Sequence, residues 1–323
     1  MIVDVRISSG VIQVLLVLLI LPKESESVTT IVQTLSSRYG MVLGGYGPGY
    51  SELQGVEILS HTGVCSGVVS DIPSQISRYL GDVSGIAEYL EQTVVFCRHS
   101  FCWKLNLREN TWNQTGGLQF EREHAASAEV GGRMVVLGGR SIDEVMGALE
   151  IYHLDTGEWE VKEELALQTP RYSFCAAPVN SSSLIVIGGW DGENALSSVE
   201  ILNLETGRWE KGSDLPEPSY GHACLHTEVG GKEGIMVTGG ALTGRKVRFL
   251  ELKTGIWSNL QDLTFGTDGH KLILVEGVPT IISWQNIQQF NGTRWNLVDY
   301  RLENSRSAFT VTSVPSHLIK SCS

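Results

Sequence analysis

The chain has 323 residues, with 36 acidic side chains against 24 basic ones and a formal net charge of −12. No basic stripe interrupts that acidic balance, which argues against nucleic acid and anionic membranes as partners. The length exceeds the usual prior for one domain.

Residues 1–27 read as a secretory signal peptide. Val11–Leu21 is an apolar run broken only by Gln13, which suits an h-region and is short for a membrane span. Ser25 and Ser27 place small residues at −3 and −1 of a cleavage after Ser27. The mature chain, 28–323, is expected to be extracellular, with no membrane insertion once the leader is removed.

From there the chain repeats one unit. The first copy, Arg38 to Cys65, runs RYGMVLGGYGPGYSELQGVEILSHTGVC, and Cys65 falls where later copies carry Trp. The second, VVFCRHSFCWKLNLRENTW, has Cys97-Arg98 in place of Gly-Gly and keeps Trp112. The next three are well formed. They pass through Gly138-Gly139, Gly188-Gly189 and Gly239-Gly240 to Trp159, Trp209 and Trp257, spanning 20, 20 and 17 residues from second Gly to Trp. The sixth, TIISWQNIQQFNGTRW, has lost its glycines but retains Asn291-Gly292 and Trp295.

Within a unit the apolar run reads as a strand buried on both faces. The glycines permit positive φ and close backbone approach. Asp155-Thr156-Gly157 and its equivalents read as a tight hairpin turn, and the Trp opens an outer strand. Gly-Gly followed by a spaced Thr-Gly-x-Trp resembles the kelch repeat, a four-stranded β-propeller blade of about 50 residues. The resemblance covers nearly all of the chain after the leader. It implies an all-β, six-bladed kelch-type propeller. Blade one lacks an innermost strand, so Thr310–Val314 is expected to complete it and close the ring.

Six cysteines suit an oxidising compartment. Cys97 and Cys102 flank a short turn and are expected to bond, and Cys65 and Cys322 are a second candidate pair. Cys175 and Cys224, one residue out of register on neighbouring innermost strands, are expected to remain buried free thiols. Asn113, Asn180 and Asn291 begin glycosylation sequons.

The sequence shows no nucleophile motif, phosphate loop or metal-ligand cluster, so no catalytic residue, metal or cofactor is assigned. His124 and His222 are read as equivalent repeat positions at the heads of innermost strands. Propellers bind where loops converge on one flat face. The segments leading into the innermost strands bring Arg78, Arg122, Arg171 and Arg306 there, with Tyr172 and Tyr220. The loops after the Gly-Gly pairs bring Tyr46, Tyr50, Arg140, Trp190 and Asp191. Arginine forks and aromatic planes suit acidic peptides or sugars. The same arginines are as readily expected to tie neighbouring blades together, as the resemblance implies. The expected function is binding of an extracellular protein or a glycan. The alternatives are a sugar-processing enzyme of the kelch-type sialic-acid epimerase kind, and an extracellular or actin-associated scaffold. The copper site of galactose oxidase, another kelch-like ring, does not map onto these residues.

Overall fold

A computed structural model describes residues 37–48, 51–73, 86–284 and 286–319. The expected leader, Tyr50, Arg78 and Cys322 lie outside the described residues. Six four-stranded antiparallel sheets form the blades of a ring. Their innermost strands are Thr310–Pro315, Ile86–Leu90, Ala126–Val130, Cys175–Asn180, Ala223–Val229 and Lys271–Val275, for blades one to six. Thr310–Pro315 pairs antiparallel with Arg38–Leu43, from Leu43↔Thr310 to Arg38↔Pro315. The C-terminal strand therefore completes the N-terminal blade, as the missing element foretold.

Apolar runs become second strands because each blade is covered on both faces. Met41–Leu43, Met134–Leu137 and Leu184–Ile187 are fully buried. The core divides into six clusters, one between each pair of neighbouring blades. Burying each such aliphatic side chain is worth roughly 1.5–3 kcal/mol. The Trp of the outer strand adds a polar tie to the segment arriving from the previous blade. Nε1 of Trp112, Trp159, Trp209 and Trp257 donates to the carbonyls of Ser70, Gly116, Leu165 and Ser213, at 2.9–3.2 Å. Pairing of Leu59 with Val64 puts Val64, not Cys65, in this Trp register in blade one.

In blade two the pairing Cys97↔Cys102 matches Leu137↔Leu149 of blade three. Arg98-His99, and not Cys97-Arg98, thus replaces Gly-Gly, with His99 at φ 54°. The Cys97–Cys102 disulfide forms as expected. Cys65 is also disulfide-bonded, while its expected partner Cys322 lies outside the described residues. The expectation of free thiols at Cys175 and Cys224 is overturned, because the two form a disulfide between blades four and five. Their one-residue offset turns them towards each other across the blade interface, with Cα atoms 5.8 Å apart.

One buried ion pair recurs in blades one, three and four. Arg306, Arg122 and Arg171 pair through Nη2 with Glu57, Glu150 and Glu200. Nη1 donates to the first-Gly carbonyls of Gly44, Gly138 and Gly188, at 2.8–3.0 Å. The second carboxylate oxygen accepts the backbone N–H of Glu303, Gln119 or Gln168, at 2.7–3.0 Å. Each clamp fastens the arriving segment to its blade. The three arginines are at most 3% exposed. They are therefore corrected from binding-face residues to structural ones, since they are buried and their Nη groups are spent on these partners.

Removing one member leaves the other charge buried without a partner. Arg171→Ala should therefore lower unfolding stability by about 3–5 kcal/mol in urea titrations. A loss below about 1 kcal/mol would show that the clamp is dispensable.

Candidate functional site

The segment entering each innermost strand runs beside the loop that follows the Gly-Gly pair. Isolated bridges join Ser307 to Tyr46, Glu123 to Arg140 and Tyr172 to Trp190. Tyr46, Arg140 and Trp190 are therefore equivalent positions on three blades. Gly139 sits at φ 95°, and a Cβ there would meet the Glu123 carbonyl at 2.8 Å, so the approach requires glycine. The next entering residue takes the left-handed backbone in every described case. His124, Ser173, Gly221, Gly269 and Ala308 have φ between 49° and 65°.

That register corrects the expected equivalence of His124 and His222. His124 aligns with Ser173 and Gly221, whereas His222 aligns with Phe174, His270 and Phe309. His222 fills a core position, where its Nε2 donates to the Ile187 carbonyl at 3.0 Å. Burial pushes its imidazole down to about 4, and that of His270 to about 3.

Blades three to five bring five of the expected side chains into one strip. The exposed Arg140 guanidinium lies 5.2 Å from the Tyr172 ring centroid and 3.6 Å from the Glu123 carboxylate. The His124 ring is 6.2 Å from Tyr172. Trp190 meets Tyr220 edge-on at 5.2 Å. Asp191 braces this strip, because its Oδ1 accepts the N–H groups of Glu193 and Asn194 at 2.8 and 2.7 Å and so shapes the loop behind Trp190. Those bonds hold its carboxyl below the usual range. Tyr46 is corrected from a face residue, being 6% exposed. Its hydroxyl accepts from Arg98 at 2.9 Å, and the Arg98 guanidinium lies 5.1 Å from the centroid of its ring.

Sequence reasoning missed Trp284, which is 63% exposed on the same face. Its signal was an aromatic residue at the second-Gly position of blade six. It also missed Ile142 and Leu242, exposed in the loops of blades three and five. An axial channel of about 450 Å³, walled by the innermost strands, passes through the ring. Among the described residues no group of three or more His, Cys, Asp or Glu is arranged to hold a metal.

The kelch motif family matches residues 171–216, which run from the Arg171 clamp across the whole of blade four. This chain is a kelch-repeat propeller. Solved structures of 529 chains match its fold, too many for the fold to select a function. One is the structure of YjhT, similar at a TM-score of 0.64 and 14% identity, over 75% of this chain and 88% of that one. No curated protein sequence matches significantly. At that identity the likeness shows the fold alone. The particulars of this kelch propeller must come from its own side chains.

The buried imidazole sets a pH dependence. Unfolded, His222 binds a proton below about 6.5, but the folded protein resists until about 4. The unfolded state therefore holds more protons between these values, and stability falls as pH drops from 6.5 towards 4. His222→Phe, which copies Phe174, should reduce the stability lost between pH 7 and 4.5 by about 2–3 kcal/mol. The Glu88 carboxyl, pushed up to about 7 by burial, acts in the opposite sense, and comparing variant with wild type cancels it. Equal losses in both proteins would contradict the assignment.

Proposed function

We propose that this propeller is a secreted binding module that takes a protein ligand across blades three to five, on the face of the Gly-Gly loops. The observation that carries this reading is the strip Arg140–Tyr172–Trp190–Tyr220. It joins a guanidinium to three aromatic rings on rigid loops, the residue types that dominate binding energy at protein interfaces. Ile142, Leu242 and Trp284 add exposed apolar surface around it.

Asn180 and Asn291 lie at turns on the opposite face, and Asn113 lies on an outer strand, all three exposed. Glycans at these positions would leave the strip free. The Cys97–Cys102 and Cys175–Cys224 disulfides suit an extracellular setting. Among the described residues no helix is long and apolar enough to cross a membrane. The sugar-processing and scaffold alternatives draw on the fold alone.

The test compares wild type with Trp190→Ala in capture from secreted proteins and on a glycan array. A protein ligand should lose about 2 kcal/mol or more of affinity, with the thermal midpoint nearly unchanged. Ligands found only on the array would assign the strip to carbohydrate. Undiminished protein binding by the variant would overturn the site.

A further inference from the structure

Among the described residues the channel carries one charge without a partner. At the mouth, six residues occupy the same register, each opposite the residue that precedes the first-Gly position: Ile86, Ala126, Cys175, Ala223, Lys271 and Thr310. All six line the channel. Lys271 is the only long, charged side chain in this ring. No hydrogen bond or ion pair holds its ammonium among the described residues.

Other charges along the channel are engaged. Arg38 Nε donates to Ser313 Oγ at 3.2 Å, Glu88 accepts from Ser127 at 2.8 Å, and His226 meets Glu233 at 3.1 Å. The groups nearest Lys271 do not supply a counter-charge. Burial lowers the imidazoles of His124 and His270 first, and the field of Lys271 lowers both further.

We infer that Lys271 is a carbonyl-capturing amine, on which aldehydes or ketones small enough to enter the channel form an imine at Nζ. An ammonium half-buried in the mouth of a channel loses part of the hydration that favours the charged form, and desolvation is the recognised route to a nucleophilic lysine. Burial pushes Lys271 down to about 8, so a useful fraction is free amine near neutral pH. The adjacent blades place only the small residues Ala223 and Thr310 at this register, with Ala126 across the channel, which leaves room for the captured group. In the reaction the nitrogen lone pair forms the C–N bond. The two N–H protons pass to the carbonyl oxygen, which leaves as water, and no oxidant or further reactant is needed.

This inference stands apart from the protein-binding reading, since it uses the channel and not the aromatic strip. The test treats the full-length protein with limiting glycolaldehyde and cyanoborohydride at neutral pH, then maps the reduced adduct by peptide mass spectrometry. Lys271 should be modified about tenfold faster than the exposed Lys211 and Lys232, whose side chains are 74% and 60% exposed. Lys271→Met should remove that adduct and leave the others. The map of the wild-type protein decides the matter even if the variant does not fold. Adducts on the exposed lysines with Lys271 unmodified would overturn the inference.

Discussion

The buried arginine–glutamate clamp is the constraint on which the rest of this ring depends. A propeller must cross from each outer strand to the next innermost strand over the top of a blade. That crossing is irregular backbone, whose polar groups need partners when buried. Arg122, Arg171 and Arg306 supply them, binding the Gly-Gly elbow and the start of the third strand at once. The entering segment is fixed from the other side as well. The Arg171 and Ser219 carbonyls accept from Gly139 and Gly189 of the preceding blades, at 2.9 and 2.8 Å. Side chain and main chain of one short segment thus join two blades.

Blades five and six solve the same problem differently. Ser219 and Thr267 stand where the arginine would be, and Arg248 occupies the glutamate position, 3.5 Å from Glu217. In blade six Gln288 accepts the Thr264 N–H at 2.8 Å in place of a carboxylate. The strip of half-buried aromatic groups begins beside the clamps of blades three and four and runs to blade five. The residues of the proposed strip sit beside residues that carry stability, as Tyr172 does beside Arg171.

Much of this was legible in the sequence, because Gly-Gly and Trp at fixed spacing identify blade and period together. Closure by Thr310–Pro315 followed from counting strands. What escaped was register at the scale of one residue. A left-handed residue such as His124 or Ser173 carries no compositional mark, so His124 and His222 looked equivalent and are not. A shift of one residue turns a strand side chain to the opposite face. Sequence alone could not say whether Cys175 and Cys224 faced each other, and they do. The arginines were ambiguous for a different reason. A guanidinium suits a ligand carboxylate and a buried glutamate equally well, and only the position of Glu57, Glu150 and Glu200 decides.

The clamps should make the face of the Gly-Gly loops as rigid as the blades beneath it. Native-state hydrogen exchange tests it most directly, by following peptides that cover 119–123, 137–141, 168–172 and 187–190. The amides of Gly139, Arg140, Gly189 and Trp190, all hydrogen-bonded to entering segments, should exchange only through global unfolding, with the protection of Leu184–Ile187. Exchange about a hundredfold faster than in that strand would contradict it.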